Sequence, residues 1–476
     1  MSQQGAARKA LVSVLLVIIV LAAVLGWGYW YYLKRNVKMT AYADPLERYK
    51  YQSIGSEPTA LPYYIWQVLP EICPEQLPPG GYAGFGWIYE PGHDRPVGMT
   101  LRTVGVPRAG ITCAACHTGT VRTTPDGARM IIPALSSHQL DLQRYARFLM
   151  QCVSGPSYTT DKVMAAIDRK TSLGPLDHLV YRYVIVPGLR HEVQRLSHRL
   201  EWMDSRPPFG PGRFDAFSPV KVDFGFDMSK DDSIATVDYP AIWNQQARKG
   251  MALHWDGSNS SVRDRNIAAG ISAGAVPDTI DLDEVDWITG FLANLAPPKF
   301  PYPIDSQLAD DGKLVFDAHC SRCHAPGGSQ TGHATPVAEI GTDSHRYYAF
   351  NQAFANKMNS IGEGYVWKIK GYKQSTGYLN LLLDGIWARA PYLHNGSVPS
   401  LRELLDPVEK RRPVFYRGYD LYDQTMVGFV SEGAEAEKIG QRYDTHLPGN
   451  GNAGHLYGVD LSEESKRALL EYLKTF

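Results

Sequence analysis

Four of the six cysteines fall in two strings of the form C-x-x-C-H: Cys113-Ala114-Ala115-Cys116-His117 and Cys320-Ser321-Arg322-Cys323-His324. Thiols at that spacing can reach the two vinyl groups along one porphyrin edge, and the histidine that follows can swing beneath the iron as proximal ligand. Zinc would need two further ligands of matching spacing beside each pair, and none stand there. A redox-active C-x-x-C lacks the trailing histidine and sits in a thioredoxin-like βαβ unit. One such string could arise by chance in 476 residues. Two point to two covalently bound c-type haems, with His117 and His324 as iron ligands.

Haem of this kind is attached outside the bacterial cytoplasm, which sets a topology for the segments that carry it. From Ala10 to Leu33 the chain is almost wholly apolar, and Trp27, Trp30, Tyr31 and Tyr32 cluster at its far end. A bilayer core is spanned by about 20 apolar residues, and such an aromatic belt belongs at its interface. A cleaved signal peptide would have a shorter apolar run and small residues where these aromatics stand. The expectation is a cytoplasmic tip over 1–9, a single-pass inner-membrane anchor over 10–33, and the bulk of the chain in the periplasm. The remaining cysteines, Cys73 and Cys152, would then meet conditions that permit a disulfide.

Residues 34–60 read as a polar juxtamembrane linker, 61–296 as an N-terminal haem domain with an insertion at about 118–235, and 306–476 as a C-terminal haem domain. Between them Pro297-Pro298-Lys299-Phe300-Pro301-Tyr302-Pro303 reads as a stiff linker over 297–305. Leu282 to Leu295 carries apolar residues on one helical face. The segment Asp310 to His319 reads as a helix delivering Cys320. Leu461 to Phe476 reads as the closing amphipathic helix, with Ser462 as its N-cap. The fold expected is mainly α with long irregular loops, consistent with 44 Gly and 32 Pro, and built of two cytochrome c-like haem domains behind one transmembrane helix. With 48 basic and 49 acidic residues, nothing points to nucleic acid as a partner.

Further strings carry a family resemblance. Pro240-Ala241-Ile242-Trp243-Asn244, then His254-Trp255-Asp256-Gly257, and later Ala390-Pro391-Tyr392-Leu393-His394-Asn395-Gly396-Ser397 resemble the bacterial dihaem cytochrome c peroxidase superfamily. That group includes the enzyme maturing the tryptophan-derived cofactor of methylamine dehydrogenase, and the haem rubber oxygenases. The resemblance runs from about residue 60 to the end. It implies that the first haem does the chemistry while the second stores and relays electrons, with Trp255 on the path between them. It also implies that the second iron takes its sixth ligand from the loop ahead of the last helix. Peroxidases place methionine in that loop. This chain has Gly449-Asn450-Gly451-Asn452-Ala453-Gly454-His455, so His455 is the expected ligand, as in the rubber oxygenases. His394 competes with it, and His446 stands third.

The departures bear on the reaction. Where the peroxidases carry a catalytic glutamate this chain has Ala275, and where they carry a glutamine midway it has Arg265. No carboxylate occurs from Asn266 to Val276, and no histidine between Phe209 and Leu253. The first iron is therefore expected to be five-coordinate, with a largely apolar distal face, closest in pocket features to the rubber oxygenase-like branch. His254 would hydrogen-bond a bound diatomic or pack on the ring, and Arg265 would hold an anion or a haem propionate. The expected function is a haem oxidoreductase acting on dioxygen or hydrogen peroxide, with dioxygenase-like activity ahead of peroxidase and a plain electron-transfer cytochrome as the further alternative. Asp215 or Asp223, folded over the first haem, would restore the peroxidase reading. A small redox protein or quinol-linked donor would supply electrons, and a hydrophobic unsaturated molecule near the bilayer would be the substrate. Calcium, held between the domains in many members of the superfamily, is a further cofactor the resemblance allows, although the chain has no dedicated ligand loop.

Overall fold

The computed structural model describes residues 3–476, so the expected cytoplasmic tip lies partly outside the described residues. Helix Gln3–Tyr29 runs into a π-helical turn, Trp30–Lys34. Within it Leu11–Tyr32 is apolar and long enough to cross a bilayer, and its side chains project away from the rest of the protein. Tyr31 and Tyr32 at its end are the exceptions, Tyr31 packing partly against the body and Tyr32 fully. The Tyr32 hydroxyl donates to Asp177 Oδ1 at 2.8 Å.

The stretch read as a polar linker over 34–60 is instead part of the folded body. Asn36–Val37 pairs antiparallel with the end of Met99–Val104. Helix Pro45–Tyr51 starts on an Asp44 cap and buries Tyr49 and Tyr51. Its surface face is charged, so composition alone hid the two tyrosines that enter the core. Arg48 grips Glu284 of helix Leu282–Asn294 through Nε and Nη2 at 2.7–3.2 Å, and Tyr49 meets Phe291 at 5.4 Å. These two helices frame the first C-x-x-C-H string. The second string is framed as expected: Ser306–His319 packs on Glu463–Leu473, and Ser462 accepts from Ser465 N. The contact is so close that a Cβ on Gly312 would lie 1.9 Å from the Ala468 carbonyl oxygen.

The expectation of a mainly α chain is met only in part, because short antiparallel strands run throughout. The largest sheet orders Asn36–Val37, Met99–Val104, Val106–Ile111 and Leu61–Pro62, with its central hairpin turning at Gly105 (φ +69°). β-branched residues in the hairpin favour this geometry, and the strand ends beside Cys113. A hydrophobic core containing Tyr49, Trp243, Phe316, Trp387 and Leu469 runs continuously through both C-x-x-C-H units. The proline-rich connection is packed into it, since Phe300 is buried against Trp387 and Pro298 O accepts from Trp387 Nε1. A separate core unites the insertion's helices between Leu142 and Arg199 with Tyr32 and helix Tyr63–Ile72. The Cys73–Cys152 disulfide ties this second core together across 79 residues. Closing a loop of that length stabilises by about 4–5 kcal/mol in the chain-entropy picture.

Candidate haem centres

Cys113–Cys116 forms a single helical turn, closed by His117 N donating to Cys113 O at 3.0 Å. The His117 Nδ1 lies 2.8 Å from the Pro240 carbonyl oxygen, which makes Nδ1 the protonated nitrogen and leaves Nε2 bare for a metal. His324 repeats the arrangement, with Nδ1 2.7 Å from Leu381 O. Burial lowers His117 to about 4 and shifts His324 in the same direction, keeping both imidazoles neutral. Both nevertheless stay partly exposed, as do all four cysteines, so they line internal space instead of packing against side chains. Neutral imidazoles with a fixed tautomer, each beside two thiols, fit a covalently bound haem.

Gly98 sets the position of the first turn. It adopts φ +83°, accepts from Thr112 N, and a Cβ there would lie 2.1 Å from Ala115 N. Gly98→Ala should therefore cost about 1–3 kcal/mol of backbone strain and push the turn aside. The expected outcome is selective loss of haem at Cys113/Cys116 with the other site still loaded, read by peptide mass after proteolysis.

Across from His324 stands His455, with ring centroids 6.2 Å apart. Metal–imidazole bonds of about 2.0 Å on either side of one iron would separate two centroids by about 6.3 Å. Neither ring nitrogen of His455 has a protein hydrogen-bond partner among the described residues, and Nδ1 is fully buried. Burial lowers this ring to about 4 as well. Its backbone is in the left-handed region (φ +50°) and is held there by His455 N donating to Ile340 O. The buried Arg411 guanidinium adds bonds to the carbonyls of Asn452 and Gly454 at 2.7 and 2.8 Å. His394, the competing candidate, stacks on Tyr378 at 3.9 Å instead. His446 is exposed and pairs with Asp444. Among the described residues no imidazole stands opposite His117 as His455 does opposite His324; the aromatic neighbour of His117 is Tyr239, edge-on at 6.4 Å.

Trp255 joins the two proximal loops. Its Nε1 donates to Asp238 O at 3.0 Å, two residues from the carbonyl that holds His117. Its own carbonyl accepts from Leu379 N at 2.9 Å, two residues from the carbonyl that holds His324. Asp256 beside it forms a buried ion pair with Arg346 at 2.8 Å. Breaking such a pair would cost about 3–5 kcal/mol, so the tryptophan is held firmly. The Pro240–Asn244 string docks on the far unit through Trp243 Nε1 to Asp384 O and Asn244 Nδ2 to Asp384 Oδ1.

His254 lies with Nε2 3.2 Å from the Tyr372 hydroxyl, and burial lowers it to about 4. Arg265 bonds only its neighbour Asn266, leaving Nη1 free, and its charge is felt at His117, Cys113 and His254. Burial brings it down to about 10. Arg389 is its counterpart beside His324 and is lowered to the same extent. The two carboxylates that could have restored a peroxide-cleaving acid are engaged elsewhere. Asp215 accepts from Phe217 N and Ser218 N, while Asp223 pairs with Arg199 on the surface. The junction between the units is bridged by Arg417, which bonds Asp238 at 2.6 Å and the Gly396 carbonyl at 2.8 Å. Among the described residues, metal-ligating groups converge instead at Glu47, Glu90 and His93, where Lys50 already contacts Glu90 at 2.7 Å.

Residues 377–417 match the family described as RoxA-like, cytochrome c-like. The match takes in Leu381, the Ala390–Ser397 string and Arg411, and a cytochrome c-like domain implies covalently bound haem. Two relatives are both from Sinorhizobium fredii (strain NBRC 101917 / NGR234). The "Uncharacterized protein y4iM" is 32% identical over 282 residues, covering 50% of this chain and 64% of the relative. The "Uncharacterized protein y4iJ" is 26% identical over 511 residues, covering 83% of this chain and 82% of the relative. The chain thus spans just under two thirds of the first relative's length.

Tyr372, Arg389 and Arg411 escaped sequence reasoning. Arg389 directly precedes the Ala390–Ser397 string and could have been considered with it. Tyr372 and Arg411 sit in no motif, and only the folded chain brings them to His254 and to the His455 loop.

Proposed function

We propose that this chain is a membrane-anchored haem oxidoreductase working on the periplasmic side with two c-type haems. In this reading oxygen or peroxide chemistry occurs at the His117 haem, and electrons are stored at the His324 haem. The observation that carries it is the asymmetry of the two centres: a second imidazole faces His324, and among the described residues none faces His117. Bound haem iron supplies the redox chemistry and the affinity for a diatomic ligand. The chain's own groups orient and exclude. His117 stays neutral on the Pro240 carbonyl, and Tyr372 fixes the ring of His254, which would hydrogen-bond a bound diatomic or pack on the macrocycle. Arg265, and Arg389 with the nitrogens not engaged by Leu382 O, would offer guanidinium groups to haem propionates. Asp215 and Asp223, the two carboxylates that would have restored a peroxide-cleaving acid, are engaged elsewhere, which favours dioxygenase-like over peroxidase activity. Electrons would arrive from a small redox protein or a quinol-linked complex at the second haem, where a cleft of about 170 Å3 opens beside Cys323.

The test is to reduce the full chain and add dioxygen and hydrogen peroxide separately, following consumption of each alongside the visible and paramagnetic resonance spectra. Uptake of dioxygen with peroxide inert supports the oxygenase reading and justifies a screen of unsaturated hydrophobic substrates. Rapid peroxide turnover with a cytochrome donor restores the peroxidase. Trp255→Phe removes the indole donor to Asp238 and should cost about 1–2 kcal/mol of stability. It should also slow the second phase of stopped-flow reduction, as electrons pass from one haem to the other, with both haem spectra unchanged.

A further inference from the structure

The helical run that opens at Pro175 turns an apolar stripe outward. It comprises Pro175–Val180, the π turn Tyr181–Ile185 and Val186–Arg199 without a break. Leu176, Leu179, Tyr183 and Val184 are 50–67% exposed. Their spacing puts them on one face, while Tyr181 and Ile185 on the other are buried in the insertion's core. Charged neighbours are paired: His178 with Asp168, and Arg182 with Asp161, its guanidinium also lying over the Tyr183 ring, where an interfacial cation belongs. Clustered exposed side chains of this size mark a contact surface.

What covers the stripe follows from where it begins. Tyr32, the last residue of the apolar span, donates to Asp177, the residue next to Leu176, and is buried in the same core as Tyr181 and Ile185. Trp27 and Trp30 project outward on the span's final turns, where an interfacial aromatic belt sits. The stripe therefore starts at the level where the span leaves the hydrocarbon. We propose that this helix lies in the membrane interface, with Leu176, Leu179, Tyr183 and Val184 inserted among the lipids as a second contact besides the span. The proposal rests on the anchor reading above.

The test uses the full chain in phosphatidylethanolamine–phosphatidylglycerol vesicles, with a photoreactive benzoylphenylalanine replacing Leu179, Tyr183 or, as an exposed control further along the helix and outside the stripe, Glu192. Lipid adducts at 179 and 183 are expected at about tenfold or more over 192. Because all three positions are exposed, the fold is not at stake. A chain that floats with the vesicles yet gives no excess of adducts at 179 and 183 overturns the interfacial helix and leaves the anchor standing. A chain that does not float overturns both.

Discussion

Serine at both Cys320 and Cys323 should leave the chain with one covalent haem in place of two, halving the pyridine haemochrome absorbance per chain. Serine at Cys113 and Cys116 should do the same at the other centre. Each loop is built on its own frame, so losing one should spare the other. The first rests on the Val106–Ile111 strand and the Pro45–Tyr51 and Leu282–Asn294 helices, the second on Ser306–His319 and Glu463–Leu473. The consequences should differ in kind. Loss of the first haem should abolish oxygen or peroxide consumption while preserving the low-spin signal, and loss of the second should remove that signal. A parent chain carrying a single haem by intact mass would contradict the two-haem reading directly.

His455→Met should raise the potential of the second haem by on the order of 100 mV, because a thioether stabilises ferrous iron relative to a second imidazole. His455→Ala should convert the same haem from low spin to high spin in the resting paramagnetic resonance spectrum. His394→Ala should do neither, since its ring stacks on Tyr378 and not across from His324. It should instead destabilise the fold by about 1–3 kcal/mol through the lost stacking and buried volume. A low-spin signal that survives His455→Ala but disappears in His394→Ala would reverse the assignment.

The sequence made legible whatever chemistry imposes locally. Two C-x-x-C-H strings, an apolar run ending in aromatics, and a serine cap ahead of the last helix each depend on neighbours in the chain, and each could be read from it. His455 could be named only through the family resemblance, which implies a ligand from the loop ahead of that helix. What stayed hidden depends on contacts between residues 57 and 123 positions apart. The carbonyls that fix the tautomers belong to Pro240 and Leu381, and any residue supplies a carbonyl, so no residue type marks them. The same holds for 34–60, where charge on one face of a short helix concealed Tyr49 and Tyr51. The strands were missed because most are two to four residues long, too short for an alternating pattern to emerge.

Arg411 ties the His455 loop to fixed carbonyls, and His455 itself is kept in a backbone region that only its surroundings can maintain. A ligand held so tightly has little room to move when the charge on its metal changes. The nuclear rearrangement that accompanies each oxidation or reduction at that centre should therefore be small, and in electron-transfer terms so should the reorganisation energy. The first centre, without a strapped partner for His117, is free to change coordination as it works. If both proposed haems are bound, the second would then be the stiff centre, suited to quick charging and discharging, and the first the yielding one.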